Sequence, residues 1–179
     1  CRRIATFFEQ RGDTFEIILV DDGSSDGSWD KIVEIARADP RVLGVQLMRN
    51  FGQQNATVCG FRHAGGKFVV TLDEDLQHPP EEIGKLIAAM ERSNADVIYG
   101  TPESSQHNWW RRLSSRIVLI IPRLVVGVDF DISSVRLIRF RSLEPIVKSD
   151  RPDIVIDVYL GWATKAIAAT PIWPMTARN

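Results

Sequence analysis

Three consecutive acids, Asp73-Glu74-Asp75, follow directly on the apolar run Phe68-Val69-Val70 and precede Leu76-Gln77-His78-Pro79-Pro80-Glu81-Glu82. Carboxylates crowded at a strand end, with no basic residue nearby in sequence, repel one another unless a cation compensates them. In extended chain, residues two apart point the same way. Asp73 and Asp75 can therefore converge on one hard divalent cation, Mg2+ or Mn2+, which takes oxygen ligands and keeps room for phosphate oxygens. The bland alternative is a solvated acidic loop ahead of the next helix.

Three other groups could do chemistry. Val20-Asp21-Asp22-Gly23-Ser24 ends another apolar run. A carboxylate there can meet a base or ribose hydroxyls, and Gly23 lets a ligand approach closely; the alternative is a plain Asx turn. Arg49-Asn50-Phe51-Gly52-Gln53-Gln54 is a basic loop running into a helix, where phosphate is favoured, or else a surface Arg with a Gly turn. Trp109-Trp110-Arg111-Arg112, with Arg116, combines amphipathic rings with guanidinium forks suited to headgroups and phosphates, or else packs a helix on the core. His63, His78 and His107 lack metal-ligand spacing, and no Gly-x-Ser-x-Gly or Gly-Lys-Ser/Thr motif occurs.

The elements that must position these groups alternate. Strands are expected at 15–20, 41–48, 67–72 and 95–99. Helices are expected from Ser25 or Asp26 to Ala38, over 53–64, and from Pro79-Pro80 to Arg92. That alternation means a doubly wound, mostly parallel α/β sheet with ligands at the strands' carboxyl ends. Beyond residue 100 the pattern predicts a helix over 109–126, a strand over 132–140, short helices over 142–147 and 154–162, and a last strand over 166–172. One domain spans 1–179, with regular alternation over 1–100 and a less regular second half over 101–179, incomplete at its end. An amphipathic helix carrying Ile4, Phe7 and Phe8 leads straight into a strand, so an earlier first strand is expected to be missing.

Composition narrows the function. With 22 basic and 23 acidic residues and no basic run, the chain is not a nucleic-acid binder. Cys1 and Cys59 are expected to be structural thiols in a reducing compartment. The longest apolar run, interrupted by Pro122 and Arg123, is too short to span a membrane, and no signal peptide is read.

Taken in order, "VDDGSSDGS" (20–28), "RNFGQQNATVCGFRHAGGKFVVTLDEDLQHPPEEI" (49–83) and "SSVRLIRF" (133–140) resemble family 2 glycosyltransferases of the GT-A fold. The resemblance is nearest to dolichyl-phosphate mannose synthase and the undecaprenyl-phosphate glycosyltransferases. It implies a UDP- or GDP-linked sugar donor, inversion at the anomeric carbon, and a polyprenyl-phosphate acceptor at the inner face of the cell membrane, with the protein cytoplasmic and peripheral. Asp22 would contact the nucleotide, with Asp21, Gly23, Arg49 and Asp73 around the donor. Asp73 and Asp75 would hold the metal, Asp75 more directly. Gln77 would lie beside the sugar, and Arg136 would face the phosphates or acceptor. Arg111, Arg112, Arg116 and Arg178 would serve the acceptor. Departures are the absent first strand and Pro-x-Tyr/Phe-Asn-Glu segment, the absent Gly-x-Ser-x-Tyr loop, His78 for Asp or Asn, and Ser133-Ser134 for a Gly-containing pair.

Rival expectations are a saccharide-hydroxyl acceptor, for which Asp129, Asp131 or Asp157 would be the base, a nucleotidyltransferase, and a binding domain without turnover.

Overall fold

The computed structural model describes residues 1–73, 79–102, 133–151 and 154–172. Its elements follow the chain as α1 (Arg2–Arg11), β1 (Ile17–Asp21), α2 (Ser28–Ala38), β2 (Val42–Gln46), α3 (Gln53–His63), β3 (Phe68–Thr71), α4 (Ile83–Ser93), β4 (Val97–Pro102), β5 (Arg136–Arg139), α5 (Glu144–Val147), α6 (Ile156–Ala163) and β6 (Ile167–Ile172). Single 3-10 turns, Pro80–Glu82 and Phe140–Leu143, lead into α4 and α5. The expected strands and helices are present within a few residues. The helix expected over 109–126 lies outside the described residues.

The strands form two sheets. β1 and β2 pair in parallel. The other sheet has the order β3-β5-β4-β6. β4 and β6 are parallel, whereas β5 runs antiparallel to both its neighbours, β3 and β4. The alternation of residues 132–140 announced a strand but not its place or direction, and β5 sits in the middle of the sheet. β4 also runs past Gly100, where the sequence placed its end. It stays paired to β6 out to Pro102 opposite Ile172. Gly100 permits this, because a Cβ there would lie 2.3 Å from Ile172 Cδ1.

Both faces of the four-stranded sheet carry a buried apolar cluster. On one face Val58 and Phe61 of α3 pack with Val97, Tyr99, Ile138, Ile146 and Leu160. On the other, Leu86, Ala89 and Met90 of α4 pack with Ile98, Leu137 and Ile172. Strand residues alternate between the two clusters, as period two dictates.

Asp96, just before β4, ties the second half together. Its carboxylate accepts from Arg141 Nη2 at 2.5 Å and from Thr164 Oγ1 at 2.8 Å, with Arg139 Nε at 3.6 Å. Burial alone would raise its pKa, but these partners outweigh burial and hold it below the ordinary value. A depressed carboxylate adds stability above its unfolded pKa, about 3.9, and that stability is lost as pH falls through the folded value. Asp96→Asn should therefore be less stable than the wild type at pH 7. The gap should shrink as the pH drops below about 4, as read by urea unfolding at pH 7 and pH 3. A gap unchanged between the two pH values would refute the assignment.

Candidate functional site

The carboxyl ends of β1 and β3 open into a cavity of about 1070 Å3. Asp21, Asp22, Asn50, Gly52, Gln53, Asp73, Ser134, Arg136 and Asp157 all line it. Residues from both halves of the chain thus meet at the position that open α/β sheets use for ligands.

The turn after β1 is built by its own acids. Asp21 is buried, and its carboxylate accepts from the Ser24 backbone N–H at 3.3 Å and from Gln46 Nε2 at 3.4 Å. Farther along, Asp26 accepts from the Ser28 backbone N–H and hydroxyl at the start of α2, and these bonds lower its pKa. Asp22 reaches sideways to the next loop. One of its oxygens accepts from the Phe51 N–H at 2.7 Å and the other from the Gly52 N–H at 2.8 Å. These amides lie at the entrance to α3, where backbone donors lack helical partners. Gly23 makes the approach possible. Its φ is +75°, and a Cβ would sit 2.7 Å from the Arg49 carbonyl carbon and 2.8 Å from the Asn50 nitrogen. The residues expected to meet the donor thus seat the 49–52 loop. Arg49 lies over the Phe51 ring at 4.8 Å.

Asp73 follows β3. One of its oxygens accepts from Gln53 Nε2 at 3.3 Å and the other from the Ser134 hydroxyl. Ser134 is fixed in turn by Thr71, whose hydroxyl donates to the Ser134 carbonyl. Both partners of Asp73 among the described residues are neutral, and a carboxylate is the kind of oxygen ligand that a hard divalent cation takes. Its predicted companion Asp75 and the neighbouring Gln77 lie outside the described residues. So do Arg111, Arg112, Arg116 and Arg178. Among the described residues no three His, Cys, Asp or Glu side chains gather as a metal cluster.

Arg136 is on β5, pointing into the protein. Its Nη1 is 2.5 Å from Asp157 Oδ1, and its Nε donates to the Ser134 carbonyl at 3.3 Å. The Tyr99 hydroxyl donates to the same Asp157 oxygen at 2.7 Å. Burial first, and then the Asp157 charge, push the Tyr99 pKa far up, so Tyr99 stays a donor. The backbone N–H of Ile156, beginning α6, donates to Gln54 Oε1 at 3.2 Å. Arg136 is thus committed to an internal ion pair beside the cavity. The sequence reading missed Tyr99, which it placed only as the last residue of a strand, the Ser134 contact, and the partners of Gln53 and Gln54. Each joins residues far apart in the chain, which no local pattern encodes.

Acids and the 49–52 loop gather where two strands end, the place that open α/β sheets use for ligands. The chain belongs to glycosyltransferase family 2, whose family model, Glycosyl transferase family 2, matches residues 1–147. Solved structures share its fold. TarS 1–349 of S. aureus superposes with a TM-score of 0.61 at 17% identity, covering 94% of this chain and 53% of that one. The same TarS fragment in complex with UDP-GlcNAc gives 0.61 at 19% identity over 99% and 56%. Glucosyl-3-phosphoglycerate synthase from Mycobacterium tuberculosis, in complex with phosphoglyceric acid, gives 0.61 at 20% identity over 92% and 61%. The chain therefore spans between half and two thirds of these proteins, and the GT-A fold expected from the motifs holds. No helix among the described residues is long and apolar enough to cross a membrane.

Proposed function

We propose that this chain forms the donor-binding part of an inverting glycosyltransferase. It would move a sugar from a UDP- or GDP-linked donor to a polyprenyl phosphate at a membrane surface. The observation that carries the reading is the shared cavity, where Asp22 with its loop, Asp73 and Ser134 meet at the ends of β1 and β3. Family membership favours glycosyl transfer over the nucleotidyl transfer that the acids alone allow. TarS was solved with UDP-GlcNAc, which is consistent with a nucleotide-sugar donor here.

Asp73 and Asp75 would hold a divalent cation. When bound, it supplies charge stabilisation for the departing diphosphate. The seated 49–52 loop presents the start of α3 to phosphate oxygens. Ser134 and Gln53 keep Asp73 turned toward the cavity. Arg136 and Asp157 line the cavity wall together as an ion pair.

The acceptor follows from the state of Asp157. A saccharide hydroxyl needs a general base, and Asp157 is the described candidate. Its Oδ1 already accepts from Arg136 and from the Tyr99 hydroxyl, so it is engaged within the protein rather than turned to an acceptor. A phosphate monoester, with a second pKa of about 6, is largely ionised at pH 7 and needs no base. Arg111, Arg112, Arg116 and Arg178 are the proposed acceptor contacts.

The test uses the full-length polypeptide in calorimetry with UDP-GlcNAc, UDP-glucose and GDP-mannose, with and without Mn2+. One donor should bind in a manganese-dependent way. Asp75→Asn should weaken that binding by at least tenfold, or about 1.4 kcal/mol. Transfer to undecaprenyl phosphate should exceed transfer to soluble saccharides. Binding of none of the donors, or transfer only to saccharides, would count against the proposal.

A further inference from the structure

A hydroxyl from the neighbouring strand meets the Asp73 carboxylate because of how β3 and β5 are paired. Their antiparallel ladder sets Val69 against Ile138, Val70 against Leu137 and Thr71 against Arg136. Two residues beyond the end of β3 and two before the start of β5, the same register brings Asp73 opposite Ser134. Side chains directly opposed in such a pair are close enough to bond. The Ser134 hydroxyl accordingly donates to Asp73 Oδ2, and Thr71, Asp73, Ser134 and Arg136 all line the cavity.

Ser134 is itself pinned through its backbone. Its carbonyl accepts from the Thr71 hydroxyl and from Arg136 Nε at 3.3 Å. The next residue is fixed as well. The Val135 N–H donates to Ser133 Oγ at 3.1 Å, its carbonyl accepts from the Gly100 N–H at 2.9 Å, and its side chain is buried. A serine whose backbone is held on both sides keeps only the freedom of its own side-chain rotamers, so its hydroxyl is aimed rather than free to search.

The two donors leave room on the acid. An ionised carboxylate offers about four acceptor sites. Ser134 takes one on Oδ2, and Gln53 Nε2 takes one on Oδ1 at 3.3 Å. These two leave a site on each oxygen for a cation. Together they fix the last torsion of the aspartate, which is otherwise broad. Ser133-Ser134 also stands where the family resemblance expects a Gly-containing pair. A glycine has no hydroxyl to give, so the contact belongs to this chain rather than to the motif.

We infer that Ser134, pinned by Thr71, is a positioning residue for the divalent cation. It sets the orientation of Asp73 and, through Asp73, the affinity for Mg2+ or Mn2+; neither Ser134 nor Thr71 is a ligand. The inference rests on the metal reading of Asp73 given above.

The test is binding of Mn2+ alone to the full-length polypeptide and its variants, followed by the electron paramagnetic resonance of the free ion, so that no turnover is needed. Asp73→Asn marks the loss of the carboxylate. Ser134→Ala should raise the Mn2+ Kd about tenfold, the lower end of what removing a hydrogen-bond partner of a metal ligand costs. Thr71→Val should raise it in the same direction by a smaller factor, whereas Thr71→Ser should bind Mn2+ as the wild type does. Thr71→Val keeps the shape of the side chain and removes the hydroxyl, which separates positioning from packing. Unchanged Mn2+ binding in Ser134→Ala would overturn the inference and leave the metal reading standing. A loss in Thr71→Ser as large as in Thr71→Val would also overturn it. A wild type that binds no Mn2+ would overturn both the inference and the metal reading. Should Ser134→Ala fail to fold, the two Thr71 variants decide by the same comparison.

Discussion

Asp157→Ala is expected to lower the free energy of unfolding by about 3–5 kcal/mol, the range for removing one partner of a buried ion pair. The Arg136 side chain is only 6% exposed, and that of Asp157 only 15%. Without the carboxylate, the guanidinium keeps its bond to the Ser134 carbonyl but loses its counter-charge in a largely buried position. The Tyr99 hydroxyl loses an acceptor at the same time. For a chain of this size the melting temperature should fall by roughly 6–20 °C. Asp157→Asn should cost less, since an amide oxygen still accepts from both donors. Arg136→Met combined with Asp157→Leu should recover most of the loss, because what destabilises is the charge left alone. Calorimetric melting of the four proteins checks this. A loss of under about 1 kcal/mol for Asp157→Ala would show the pair to be solvent-screened, with the worth of a surface bridge. The pair also carries information about the cavity. Arg136 and Ser134 are neighbours on the chain, and Ser134 holds Asp73. Loosening Arg136 should therefore disturb the acid that the cation reading depends on.

Gly23→Ala should be nearly as damaging, at about 2–4 kcal/mol. Part comes from placing a Cβ on a residue at φ +75°, worth about 1–2 kcal/mol. The rest comes from overpacking, because the new atom would meet the backbone of Arg49 and Asn50 rather than a side chain that can swing aside. The 49–52 loop has to retreat, and the bonds from the Phe51 and Gly52 amides to Asp22 lengthen or break. Two readouts separate this from general destabilisation. Amide exchange at Phe51 and Gly52 should speed up far more than at Leu19 within β1. In the Gly23→Ala background, a further Asp22→Asn change should have little added effect, since the bonds it would remove are already lost. Additive effects would mean that Asp22 and Gly23 serve the loop independently, contrary to the geometry. If the donor proposal is right, nucleotide-sugar binding should weaken in step with the loop's exchange rate.

The order of strands and helices was legible from residue patterns because each pattern is short-ranged. Ile17-Ile18-Leu19-Val20 is apolar and largely β-branched; Ile83, Leu86, Ile87 and Met90 recur at helical spacing; Pro80 opens a helix while Gly12 and Asn94 close others in left-handed conformations. Such signals act within a few residues of themselves, so no tertiary knowledge is needed to read them. The acids at strand ends, and with them the family, were legible for the same reason. What tertiary structure alone decided is every feature that pairs distant residues. β5 enters the middle of a sheet in the opposite direction because Arg136–Arg139 finds partners more than thirty residues away on either side. Asp22 clamps a loop twenty-nine residues on, and Arg136, Tyr99 and Asp157 meet across 58 residues of chain. Burial explains the difference: a carboxylate in a sequence can pair with solvent, nucleotide or protein, and only the packing of other elements around it removes the first and selects between the others.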